Sequence, residues 1–333
     1  MVLFLCNKER GNNMGFKKAS LIAFIGLATL SLAACRKEAG QAHQSAKVGI
    51  IQYAEHSALD AAREGFIEVL AEGGFKEGKT LTVTTRNAQG DQANLQTMVE
   101  QLAGKNDLNF AIATPAAQAL LNGDQETPAV FTAVTDPVSA GLVDSLAKPG
   151  GNMTGSIDAT DVVGQIDLLT KALPQAKTIG IFYNSSEVNS EVQAKAAKKA
   201  LEKKGLKVLV KTVTTTNDVQ QVMTSLANQV DAVYLPTDNT VASTASTIGD
   251  ILKEAKVPSM GSDDAYLSAV LFTSGVDYKA IGKQAGKEAV AILKGKSPAT
   301  IKVAKPEKAK IAVNDDMAKA LGMDSQAIKA LGK

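Results

Sequence analysis

Hydroxyl and carboxyl side chains in this chain collect just past short apolar runs. The run Phe110–Ala113 leads into Thr114, Pro115, Ala116 and Ala117, and Ala129–Val134 leads into Thr135 and Asp136. Lys47–Tyr53 ends in Gln52, Tyr53 and Glu55. Later runs lead into Glu187, Asn189 and Ser190, into Asp238 and Asn239, and into Ser262 and Asp263. Helix N-termini hold anions through free N–H groups and the positive dipole end. Asp136, Glu187, Asp238 and Asp263 would hold a cation. A zwitterion needs both, so a free amino acid fits this inventory. Ser, Thr, Asp and Asn after a strand also serve as plain helix caps, the preferred reading for Ser186 and Asp263. Asp136, just ahead of Pro137, is expected to face a cleft, so that Asp136→Asn would weaken binding. Tyr53 is expected there too, whereas His56 reads as a local cap or surface group.

Catalytic signatures are missing. There is no G-x-S-x-G elbow, Walker A loop, G-x-G-x-x-G or H-E-x-x-H. The only histidines are His43 and His56, which argues against a His triad or a multi-His metal site. The expectation is a binding protein with no cofactor, no metal and no catalytic residue.

These residues must be positioned by alternating elements. Two strands flank the Ala116–Leu121 helix former, the βαβ grammar of a parallel sheet. Ligands sit at the carboxyl ends of strands in such sheets. Before this lie strand Lys47–Tyr53, helix Ser57–Glu72, strand Thr80–Thr85 and helix Asp91–Ala103, the last N-capped by Asp91. The cluster Pro149-Gly150-Gly151-Asn152 marks a crossing, and Asn152–Ile157 reads as a short strand. Helices are expected near Val162–Leu173, Glu187–Lys204, Val219–Ala227, Val241–Lys256, Tyr278–Lys294 and Asp315–Leu321. Strands are expected at Thr178–Tyr183, Lys207–Val213, Asp231–Leu235, Val257–Met260, Val270–Thr273, Ile301–Val303 and Lys310–Val313. The organisation expected is a first lobe of residues 47–154 plus about 276–304, and a second of about 155–275 plus 305–333. Repeated crossings between lobes make a hinge and a cleft that closes.

Composition narrows the class. The 333 residues are 45% hydrophobic with net charge +2, so nothing points to nucleic acid. Past the N-terminal segment the arginines are Arg36, Arg63 and Arg86, which leaves carboxylate recognition to backbone N–H and hydroxyl groups. Trp is absent and aromatics are 4%, against a sugar pocket lined by indoles. Cys6 and Cys35 both lie near the start, so no disulfide staples the globular part.

The N-terminus reads as a targeting segment. Met14-Gly15-Phe16-Lys17-Lys18 is a basic n-region, and Leu21–Leu32 is an apolar run too short to span a bilayer comfortably. Met14 is the expected start, with residues 1–34 as signal peptide. Leu32-Ala33-Ala34-Cys35 resembles the lipobox of bacterial lipoproteins, which implies cleavage before Cys35 and a diacylglycerol on its thiol. Residues 35–46 then form the lipidated start of a polar tether.

The stretches YAEHSALDAAREGF, ATPAAQAL, VFTAVTDPVSAGLV, PGGNMTG, YNSSEVNSEVQ, YLPTDNTVAS and GVDYKAIGKQAG with ILKG together resemble one family. They are similar, in order from about Lys47 to Gly322, to ABC-transporter substrate-binding lipoproteins associated with tryptophan and tyrosine uptake. Ser57 departs from the family, which commonly has Pro after His. The resemblance implies a type I periplasmic-binding fold: two Rossmann-like α/β lobes joined by three hinge crossings around a ligand cleft. It implies a monomeric, membrane-anchored extracytoplasmic receptor that hands an aromatic amino acid to an ABC permease driven by a cytoplasmic ATPase. Thr114–Ala117, Thr135-Asp136, Glu187 to Ser190 and Asp238-Asn239 become its cleft-facing motifs. A nucleoside, nucleobase or sugar-like ligand stays open as an alternative, and a surface enzyme is the third class.

Overall fold

In the computed structural model, residues 45–332 are described; the segment expected to be a signal peptide, Met14 and Cys35 lie outside them. The first sheet forms from β1 (Ala46–Gln52), β2 (Leu81–Asn87), β3 (Leu108–Ile112), β4 (Ala129–Val134) and β5 (Met153–Ile157). Its order is β2-β1-β3-β4-β5, and every pairing is parallel. α1 (Ser57–Glu72), α2 (Gln92–Leu102) and α3 (Thr114–Gly123) connect its first strands. β3, β4 and β5 are buried along their whole length, as strands of a parallel sheet covered on both faces are, with Asn109, Thr132, Thr154 and Ser156 as buried polar residues among them. Asp91 caps α2 as expected, accepting from Ala93 N–H.

The chain then crosses to a second sheet. There α4 (Val162–Ala172), β6 (Thr178–Asn184), α5 (Val188–Lys203), β7 (Lys207–Val213), α6 (Val219–Ala227) and β8 (Ala232–Leu235) follow in turn. The single helix expected over Val241–Lys256 is two, α7 (Asn239–Ser243) and α8 (Ala245–Glu254), separated at Thr244, whose hydroxyl turns back onto the Thr240 carbonyl at 2.6 Å. β9 (Ser259–Gly261) and β10 (Phe272–Gly275) complete the parallel strands. After β10 the chain returns to the first lobe as α9 (Tyr278–Leu293), and a third crossing leads back to β11 (Lys310–Val313), α10 (Asp315–Leu321) and α11 (Ser325–Ala330). The second sheet runs β11-β10-β9-β8-β6-β7, with β11 antiparallel.

Two local expectations change. β5 pairs with β4 through Ile157, so the first sheet extends past residue 154. Residues 301–303 form no strand; this segment touches β5 through a single bridge, Ser156 to Ala304. Ala304 N–H donates to the Gly155 carbonyl and Ile157 N–H to that of Ala304, while Thr154 Oγ1 donates to the Ile301 carbonyl; Ser156 Oγ ties β5 to α9 through the Ile281 carbonyl.

α9 lies against α1 at very short range. A Cβ on Gly282 would sit 2.0 Å from the Ala62 carbonyl oxygen, and one on Gly65 would sit 2.3 Å from that of Lys279. Only glycine permits this approach, and it docks the element after the second crossing onto the first lobe.

Candidate functional site

β1, β3, β4 and β5 are parallel, so their carboxyl ends open on one edge of the first lobe; β6, β8 and β9 do the same in the second. The edges meet. His56 Nε2 lies 3.2 Å from Asn239 Oδ1, and Gln92 Nε2 donates to the Ser186 carbonyl at 3.3 Å. Tyr278 OH, at the start of α9, lies 2.5 Å from Asp263 Oδ2 past β9. His56 does hold the N-cap position of α1, its carbonyl accepting from Asp60 N–H, but its side chain makes no cap bond: the ring reaches the other lobe, and burial lowers its pKa.

On the first lobe the opening turn of α3 stands out. Ala113 occupies its cap position at φ 83°, ψ 154°, a region L-residues rarely enter, and has no side-chain oxygen to give. Thr114, Ala116 and Ala117 are all buried. Ala117 N–H is spent on the Ala113 carbonyl, but Thr114 and Ala116, as first-turn residues, have no intrahelical acceptor. The Thr114 hydroxyl, on a residue 2% exposed, has no hydrogen-bond partner either. A buried helix start with an idle hydroxyl has the donors to receive an anion. Ala133, on neighbouring β4, is also at positive φ, where the register with β5 shifts.

The second lobe is acidic where it faces this turn's edge. Glu187 is fully buried, and its oxygens accept from Asn239 N–H and side chain and from Thr240. Asp238 Oδ1 accepts from Val241 N–H at 2.8 Å and Oδ2 from Asn184 N–H at 2.7 Å. Burial raises the pKa of both carboxyls, and Glu187 is pushed further by the Asp238 charge. Asn189 and Ser190 join through the Thr237 carbonyl, while Asn189 Oδ1 has no partner. Tyr53 OH donates to the Gly90 carbonyl at 2.9 Å, and its pKa is raised by burial, then by the Glu187 and Asp238 charges.

Several expected residues already have partners of their own. Gln52 is buried with its amide turned inward, donating to Ala54 and Asp60 and accepting from Arg63. Both Asp136 oxygens accept from Ser139, one from its N–H at 3.0 Å and one from its hydroxyl at 2.5 Å, so this acid caps a turn. Asp263 does cap, through Ala265 N–H, yet its other oxygen faces Tyr278. Thr135 is half-buried beside Asp158, an acid the sequence reading passed over although it too follows a strand. Burial pushes Asp158 and Asp263 up to about 6 each. Among the described residues, no ion pair involves Asp158, Glu187, Asp238 or Asp263.

Residues 47–328 match the family model of the ABC transporter substrate binding protein. The chain belongs to this family. Family members act outside the cytoplasmic membrane and bind solute for an ABC permease, which is therefore this chain's role. It is 38% identical over 278 residues to the tyrosine-binding protein of Clostridioides difficile (strain R20291), covering 83% of this chain and 81% of that one. Among solved structures it overlays, at TM-score 0.83 and 36% identity, on an ABC domain from Streptococcus pneumonia in complex with L-Trp, covering 87% of this chain and 98% of that one. A ligand-free, open substrate-binding protein with adhesive properties from Clostridium difficile is more alike in sequence at 43%, with coverage of 84% and 95%, yet overlays at only 0.64. That agrees with lobes that are closed here. The type I periplasmic-binding fold is shared with solute-binding proteins of far lower identity. Among the described residues, no helix is long and apolar enough to cross a membrane.

Proposed function

We propose that this substrate-binding protein takes an aromatic L-amino acid between its lobes. The observation that carries the reading is the buried, uncapped start of α3 with its idle Thr114 hydroxyl. It suits a carboxylate, and the carboxyls without an ion-pair partner near it suit an ammonium group. The aromatic side chain is argued from the relatives, one described as tyrosine-binding and one solved with L-Trp. Ligand bridging both edges favours the closed form, which then docks on the permease.

The test is thermal unfolding of residues 36–333, refolded to strip carried-over ligand, against the twenty amino acids, nucleosides and simple sugars. Ligand at about a hundred times its Kd adds roughly 2.7 kcal/mol, enough to raise the midpoint by several degrees. A shift confined to Trp, Tyr or Phe supports the reading. A shift with a nucleoside or sugar alone discards it.

The receptor is further proposed to be a monomer, lipid-anchored through Cys35, with residues 1–34 removed. Support comes from the basic n-region, the short apolar run and the Leu32–Cys35 motif. In detergent phase partition the native chain should enter the detergent phase and Cys35→Ser should not. Equal partition would remove the anchor.

A further inference from the structure

Asp158 sits where β5 ends and the first crossing begins. It is 3% exposed, and its Oδ1 has no hydrogen-bond partner. Thr135 lies alongside but outside hydrogen-bonding geometry. The Tyr278 hydroxyl lies 3.1 Å from Asp158 Oδ2 and 2.5 Å from Asp263 Oδ2 on the other lobe. A phenol carries one proton and satisfies one carboxylate. With both acids ionised, the second contact would set a lone pair against a buried anion. With no cation beside Asp158, this geometry therefore favours one extra proton on the pair as pH falls toward about 6. The titratable groups around it are Asp264 beside Asp263, Tyr266 beside Tyr278, and Asp277 and Lys310 bearing on Asp264. Lys310 is the only cation among them, and it acts on Asp264 rather than on Asp158.

We propose that Asp158 receives the ligand's ammonium group through its unpartnered oxygen, and that Tyr278 carries this contact to Asp263, so that reading the amino group and closing the lobes are one event. The assignment rests on the amino-acid reading above. Where pH is low enough for the pair to hold that proton, the ammonium takes its place and the proton leaves to solvent on binding. Glu187 and Asp238 are less suited to direct contact, because backbone N–H groups and side chains of their own lobe already occupy their oxygens.

The experiment is calorimetric titration of native protein and Asp158→Asn with L-tryptophan and L-tyrosine, and with their des-amino analogues indole-3-propionate and 3-(4-hydroxyphenyl)propionate. The native protein should prefer amino acid over analogue strongly. Asp158→Asn should weaken amino-acid binding roughly thirtyfold or more, as for a lost charge-assisted hydrogen bond, and leave the analogue unchanged. Equal loss for both ligands, or an unaltered preference, overturns the assignment while the amino-acid reading stands. A native protein that binds neither amino acid overturns both. A second measurement needs no variant: at pH 5.5, titration in buffers of different ionisation enthalpy should show close to one proton (~1) released per ligand. No release refutes the exchange of proton for ammonium.

Discussion

Replacing Thr114 by Val separates a binding hydroxyl from a structural one. The side chains have nearly the same shape, so the first turn of α3 keeps its packing. Thr114 Oγ1 is buried with no partner in the protein, so its loss breaks no bond of the fold. An unsatisfied buried polar atom costs about 1–3 kcal/mol, and removing it should leave the unfolding midpoint unchanged or raise it. In the proposed reading the hydroxyl donates to the ligand's carboxylate, and a hydrogen bond to a charged group contributes about 1.5–3 kcal/mol. At about 1.4 kcal/mol per tenfold, Thr114→Val should weaken binding of L-tryptophan or L-tyrosine roughly ten- to hundredfold. Titration calorimetry gives Kd, and a thermal scan without ligand gives the midpoint. A lower ligand-free midpoint with Kd unchanged within about twofold would refute the reasoning, because the hydroxyl would then be serving the fold.

Other outcomes follow from the same geometry. Gly282→Ala would place a methyl 2.0 Å from the Ala62 carbonyl and should destabilise by about 2 kcal/mol or more in urea unfolding; an unchanged midpoint would mean α1 and α9 move apart freely. Glu288 on α9 is 7% exposed with Oε2 unpartnered, and burial pushes it up to about 8. Its folded pKa lies above the unfolded value, so the stability it contributes is complete at acidic pH and is lost as pH rises through about 8. Glu288→Gln should match the native protein near pH 5 and exceed it near pH 9, by on the order of 5 kcal/mol at most, in unfolding followed against pH. Parallel curves would count against a buried, neutral Glu288. Asp136→Asn should leave amino-acid affinity within about twofold, since Ser139 already occupies both oxygens; a tenfold loss would return Asp136 to the ligand.

Much was legible in the chain alone, because it is written in short-range terms. Apolar runs broken by Gly, Pro and Asx residues gave the alternation of strands and helices, and Asp91 declared its cap locally. The family could be read from motifs in order, and with it two lobes and a cleft. Which acid does what was not legible. Asp136, Asp158, Glu187 and Asp238 all follow a strand, and the signal is the same for each. Their fates differ because hydrogen-bond partners are decided in space: Ser139 satisfies Asp136 three residues away, while Asp158 meets Tyr278 across 120 positions and keeps one oxygen idle. The same holds for Gln52, drawn inward by Arg63, and for His56, whose partner Asn239 belongs to the other lobe. Sequence periodicity determines which elements form and which ends they present. Only the closing of two sheets against each other determines which polar atoms are left unsatisfied, and in a buried cleft those atoms are what a ligand can bind.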